Sequence, residues 1–163
     1  MRFAVLMSVL LLAGCGAEPE QSEAPAPAEQ ERQGKTTDTP PPTFAGLESI
    51  SFPDIEENDL FGAGCSFIGT EDVGATLFIA MDDGGYFKTG GEVVTLAPDP
   101  DSRLLPYDAR GIYSSETFWA ELALTGEGTR RGSEVVDYDG ALTLRDGEGG
   151  ILFQGEGLVE CGA

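Results

Sequence analysis

Histidine is absent from these 163 residues, and lysine and arginine together number only 9 against 29 aspartates and glutamates. The first absence excludes Ser-His-Asp and Cys-His nucleophilic sites and any histidine-ligated metal, because no imidazole exists to act as base or ligand. The second disfavours nucleic acid as a partner: a formal charge of -20 repels phosphate chains, and the few cations are too scattered to form a basic stripe. Tryptophan occurs once and tyrosine four times, which leaves few aromatic platforms for sugars. No apolar run approaches the roughly 20 residues of a membrane-spanning helix.

What is present begins with an address. Met1 and Arg2 precede Phe3 to Leu12, a run apolar except for Ser8, and Leu12-Ala13-Gly14-Cys15 follows at once. This pattern reads as a signal peptide over residues 1–14. It resembles the lipobox of bacterial lipoproteins, and the resemblance implies that Cys15 receives a thioether-linked diacylglycerol and palmitate and becomes the first residue after cleavage. Gly16, where an aspartate would direct inner-membrane retention, implies the periplasmic face of the outer membrane. Two or more acyl chains, at about 0.8 kcal/mol per buried methylene, suffice for stable attachment, so the membrane is an expected partner through the lipid alone.

From Gly16 to Thr43 six prolines sit among Ala, Glu, Gln, Ser and Thr without a large apolar side chain. Such a stretch cannot bury enough apolar surface to offset its chain entropy, so residues 15–43 are expected to form a disordered tether. As a flexible coil it spans about 29 Å, and as an extended proline-rich spacer about 87 Å. Both exceed the Debye length of about 8 Å, so an anionic leaflet barely repels the acidic domain beyond it.

Residues 44–163 are expected to form one domain, large enough for a single core. Glycine makes up 20 of its 120 residues and punctuates short apolar runs. That pattern predicts β-structure. Ten runs stand out: 64–69, 75–81, 85–89, 92–97, 111–115, 117–125, 134–138, 141–145, 151–154 and 157–161. In the sixth, Phe118, Ala120, Leu122 and Leu124 share one side and Trp119, Glu121 and Ala123 the other, and the first side is the expected core. Hairpin turns are expected at Asp82-Asp83-Gly84-Gly85, Thr89-Gly90-Gly91, Tyr138-Asp139-Gly140 and the Asp146 to Gly150 segment, where glycine supplies positive φ. The fold class is therefore all-β, a single small antiparallel barrel or sandwich of about eight to ten short strands.

With Cys15 lipidated, Cys65 and Cys161 are left, and in an exported chain they are expected to pair, joining the first strand to the last. The acidic pairs Asp82 with Asp83, Asp99 with Asp101, Asp137 with Asp139 and Asp146 with Glu148 could offer oxygen ligands to calcium, but none completes a calcium-loop motif, and no metal or other cofactor is expected. Trp119, with Tyr113 nearby, is the candidate interaction face, because tryptophan anchors interfaces. Arg130-Arg131 reads as a solvated pair in a 126–132 loop.

Residues 111–124, Gly-Ile-Tyr-Ser-Ser-Glu-Thr-Phe-Trp-Ala-Glu-Leu-Ala-Leu, resemble the Gly-x-Tyr and Trp segment of membrane-bound C-type lysozyme inhibitors, which are small disulfide-linked barrels on lipid anchors. The chain departs from that family in carrying Ala109-Arg110-Gly111 where a Ser-Gly is found. The resemblance implies inhibition of a basic periplasmic enzyme. The reading from the residues themselves is a non-catalytic, lipid-anchored envelope domain that binds or supports an envelope protein or polymer. A small carboxylate-dependent hydrolase is the third expectation, since 23 acids could supply an acid and a base without the sequence choosing them.

Overall fold

Alternation along the three longest strands shows how the domain is built. The computed structural model describes residues 42–70 and 74–163, all within one compact unit, Thr39–Ala163. The expected signal peptide, Cys15 and all of the expected tether except residues 42 and 43 lie outside the described residues. In order the elements are α1 (Phe52–Asn58), β1 (Gly64–Gly69), β2 (Thr76–Ala80), β3 (Gly85–Thr89), β4 (Glu92–Pro98), a single turn at Pro106–Asp108, β5 (Ile112–Ser114), β6 (Phe118–Arg131), β7 (Val135–Asp146) and β8 (Ile151–Gly162). On β6, Phe118, Ala120, Leu122 and Leu124 are buried while Glu121 is exposed, as the period of two requires.

The strands form a closed antiparallel barrel in chain order, with β8 returning to pair with β1. Closure removes the sheet edges that an open sandwich would leave. The axis is filled. Phe67, Phe78, Phe87, Leu96, Tyr113, Leu122, Leu142, Leu144 and Val159 interdigitate inside, all fully or almost fully buried. Phe87 and Phe118 meet edge to face at 5.2 Å, a geometry that the ring quadrupole favours. The ten apolar runs resolve into eight strands because the last four merge into two, β7 and β8.

That merging corrects the expected turn at Tyr138-Asp139-Gly140. Gly140 lies inside β7, opposite Leu124 and Gly157, and a Cβ there would stand 2.6 Å from both the Ala123 carbonyl oxygen and Val159. Glycine serves close approach at this position, not a turn. The turn at Thr89-Gly90-Gly91 is as expected: φ is 60° at Gly90 and 81° at Gly91, the double positive φ of a type I′ hairpin. The Asp82–Gly84 turn is also present, closed by Met81 N–H donating to the Gly84 carbonyl, but neither Gly84 nor Gly85 has positive φ. Residues 126–131 are not a loop. Gly126 and Gly128, each at φ 76°, form an irregularity within β6, and the strand resumes at Thr129.

Residues 44–50 and α1 cover the outside of the barrel. Glu48 N–H donates to the Lys88 carbonyl, Ile50 N–H to that of Thr76, and Phe44 packs against Phe118 at one end. Ile50, Ile55 and Leu60 then pack on the outward-facing Ile79, Met81, Tyr86 and Val93 as a second, smaller core. The helix starts where Ser51 and Asp54 close a capping box, with Ser51 N–H donating to Asp54 Oδ2 at 2.7 Å and Pro53 in the first turn.

Candidate functional site

The end of the barrel where β1 begins and β8 finishes carries the disulfide, and a cleft opens beside it. Cys65 and Cys161 face each other in register across β1 and β8, are bonded, and are 1% and 0% exposed. The loop from Asp99 to Gly111 folds over this end, placing Leu105 and Ala109 in the core. It is held by Leu105 N–H donating to the Ala109 carbonyl and by Gly111 N–H donating to that of Arg103.

The cleft is about 310 Å³. It is bounded by the segment after α1 (Asp59, Phe61, Gly62, Ala63), the β2–β3 turn with its flanks (Met81, Asp82, Asp83, Tyr86), and Tyr107 with Asp108. Four carboxylates and three aromatic rings thus border one space, and none of the domain's six cations is among its walls. Tyr86 donates to Asp83 Oδ1 at 3.3 Å. Burial, and then the charge of Asp83, raise the Tyr86 phenol above its ordinary value, so it remains neutral and a donor. Phe61 is 57% exposed and meets Phe52, itself 62% exposed, edge to face at 6.3 Å.

Three non-glycine residues have positive φ among the described residues, and all three line this cleft: Asp59 at 54°, Tyr107 at 58° and Asp108 at 60°. Aspartate tolerates the left-handed region; a bulky ring does not, and such a residue costs on the order of 1–3 kcal/mol unless its surroundings impose it. At Tyr107 the phenol donates to the Glu134 carbonyl at 2.5 Å, and the turn closes by Ala109 N–H donating to the Pro106 carbonyl. The ring is held at the mouth of the cleft against its local preference.

The expected interaction face separates into two environments. Tyr113, opposite Ala120, points inward and is 0% exposed, so it is not a surface residue. This corrects its place beside Trp119. Its hydroxyl donates to the Met81 carbonyl and accepts from Arg110 N–H, both at 2.7 Å, and burial pushes its pKa up to about 12. Trp119, opposite Ser114, points outward, is half-buried, and carries the Arg145 guanidinium over its ring at 5.8 Å. The outer layer that α1 and residues 44–50 build on the barrel does not include it.

The other acidic pairs have structural partners. Asp99 Oδ1 accepts from Asp101 N–H, and Asp146 Oδ1 accepts from Glu148 and Gly150 N–H, as turn-forming aspartates do. Arg131, expected in a loop, stands in β6 and pairs with Asp137 at 3.2 Å and with Glu160, while Arg130 donates to the Ser133 carbonyl. Asp54 pairs with Lys88 at 2.6 Å and clasps α1 to β3. Among the described residues no three acidic or cysteine side chains are grouped as for a metal ion. The cleft carries no local sequence signal, because Asp59, Asp82 and Asp108 are far apart in sequence and are brought together by the β1–β2 pairing and the Asp99–Gly111 loop. No family model, curated protein or solved structure matches the chain.

Proposed function

We propose that the chain is a lipid-anchored protein of the bacterial cell envelope, held at the periplasmic face of the outer membrane through Cys15, whose barrel binds an envelope component without transforming it. The observation that supports this most is the contrast between interior and rim. The axis is occupied by packed side chains, which leaves no room for an internal ligand, whereas exposed aromatic rings and carboxylates converge at one outer cleft. An interface needs apolar anchors with a polar surround, and the cleft supplies both.

The address is tested by replacing Cys15 with Ala. The expected outcome is loss of fatty-acid incorporation and release of the protein from the membrane fraction; unchanged fractionation overturns the anchoring. Binding is tested by crosslinking the full-length protein in its native envelope. A reproducible adduct that disappears with cleft substitutions supports the reading, and turnover of a substrate panel abolished by single carboxylate substitutions overturns it in favour of a hydrolase. Inhibition of a basic enzyme such as lysozyme is a second reading, favoured by the unneutralised carboxylates at the cleft. No inhibition of C-type lysozyme by micromolar full-length protein ends it.

A further inference from the structure

Six large apolar or aromatic side chains are exposed among the described residues, and three of them gather at the cleft: Phe61 and Tyr107 in its wall and Phe52 edge to face with Phe61. Large exposed rings that touch one another form an interaction patch more readily than isolated ones. Their surroundings set the partner's chemistry. Asp59, Asp82, Asp83 and Asp108 border the rings, and no salt bridge involves them among the described residues. The described cations are engaged elsewhere where their contacts are seen: Lys88 on Asp54, Arg131 on Asp137 and Glu160, Arg145 on Trp119. A wall of rings and carboxylates favours a planar, delocalised cation, which can stack on a ring face and bond two carboxylate oxygens together. A lysine ammonium does the second only as a point charge and keeps its water more tightly.

We infer that the Phe61–Tyr107 cleft is a docking surface for a basic protein and receives an arginine side chain of that partner between its aromatic walls and the Asp59, Asp82, Asp83 and Asp108 carboxylates. This deepens the binding reading above and rests on it, but not on the lipid address.

The probe is a labelled hexa-arginine peptide titrated into the full-length protein in detergent at about 0.15 M salt, with hexa-lysine beside it. A protein of charge -20 attracts any polycation, so the controls must hold net charge constant. Asp82→Asn with Asp83→Asn is compared with Glu127→Gln with Glu148→Gln, two exposed carboxylates outside the cleft. The cleft pair is expected to weaken hexa-arginine about tenfold and the control pair no more than about twofold. Phe61→Ser, which changes no charge and removes an exposed ring, is expected to weaken it about fivefold, and hexa-lysine is expected to bind wild type more weakly by a similar factor. Equal losses from the two carboxylate pairs, or an unchanged affinity in Phe61→Ser, overturn the site and leave only diffuse attraction. Equal binding of the two peptides overturns arginine as the occupant. Failure of these arms is distinct from failure of the binding reading: a reproducible native-envelope adduct with no preference for hexa-arginine ends only the arginine occupant, whereas the absence of any adduct ends the binding reading.

Discussion

Removing the Cys65–Cys161 bond tests how much of the barrel's stability comes from covalent closure. The bond ties residues 96 apart in sequence. In the loop-entropy description, freeing a loop of that length gives the unfolded chain about 16 cal/mol/K, or about 4.7 kcal/mol at 25 °C. Domains of this size have total stabilities of about 5–15 kcal/mol, so a third or more of the whole is at stake. The native barrel does not depend on the bond for its geometry, because β1 pairs with β8 along its full length from Gly64 to Gly69. The expected outcome for Cys65→Ala with Cys161→Ala is therefore sheet-dominated circular dichroism in buffer together with a much lower resistance to urea. With a urea slope of about 1.5 kcal/mol/M, the midpoint should fall by about 3 M. Wild type unfolded and refolded in reductant keeps the sulfur volume and isolates the crosslink from the cavity that alanine leaves; it should fall by a similar amount. A midpoint change under about 0.5 M in both would refute the reasoning and show that the reduced unfolded chain is already held near closure.

Three further outcomes follow from particular contacts. Tyr113→Phe leaves the Met81 carbonyl and Arg110 N–H without their partner and should cost about 2–3 kcal/mol, read as a fall of about 10 °C in Tm. Because the folded-state pKa of Tyr113 is raised to about 12 from 10.0, its neutral form stabilises fully below pH 10 and the contribution is lost as pH rises toward 12; the difference between wild type and Tyr113→Phe should shrink across that window and nowhere below it. Asp54 is held down to about 2 from 3.8, first by Lys88 and then by Ser51, so its contribution is present above pH 3.8 and lost as pH falls toward 2; Asp54→Asn should unfold at lower urea than wild type at pH 7, with the two midpoints converging near pH 2. Gly140→Ala sets a methyl group against backbone and should cost about 1–3 kcal/mol by thermal melting, whereas a tolerated alanine would contradict the continuous β7 strand.

Much of the sheet is legible in the sequence because hydrophobic alternation is a local signal. The run at residues 64–69 is β1 and that at 85–89 is β3, residue for residue, and the inward set on β6 is the one that alternation marks. The disulfide is legible once the expected export signal and lipidation of Cys15 leave Cys65 and Cys161 as the remaining pair. Errors arose where one residue type serves two physical purposes. Gly140 reads as a turn former, and residues 155–156 separate two apolar runs, yet Gly140, Gly155 and Gly157 all lie inside strands, and at Gly140 and Gly157 a Cβ would press on backbone oxygen. Tyr113 read as a recognition residue because of its neighbour in the sequence; its register opposite Ala120 turns it inward. A local signal for α1 does exist in Ser51, Pro53 and Asp54, a capping box with proline in the first turn, but seven residues are too few for apolar periodicity to show. The cleft was illegible for a different reason. Its walls come from three segments distant in sequence, brought together by the β1–β2 pairing and the Asp99–Gly111 loop, and Tyr107 adopts a left-handed conformation that its own propensity disfavours.

The distribution of charge connects these observations. The domain carries 23 acids and 6 bases, and a field of one sign works against the compact state. The fold offsets it without neutralising it: a fully packed axis, a closed hydrogen-bonded ladder and one covalent tie provide stability that does not depend on ion pairs. The three ion pairs among the described residues are local ties, with Lys88 holding α1 and Arg131 joining β6, β7 and β8 beside Cys161. In the cleft beside the disulfide, Asp59, Asp82, Asp83 and Asp108 have no such counterpart among the described residues and are exposed beside the rings of Phe61 and Tyr107. Surplus negative charge at that position adds nothing to folding. Under the binding reading proposed above, it lowers the free energy of a complex with a cationic surface and raises the rate of finding one.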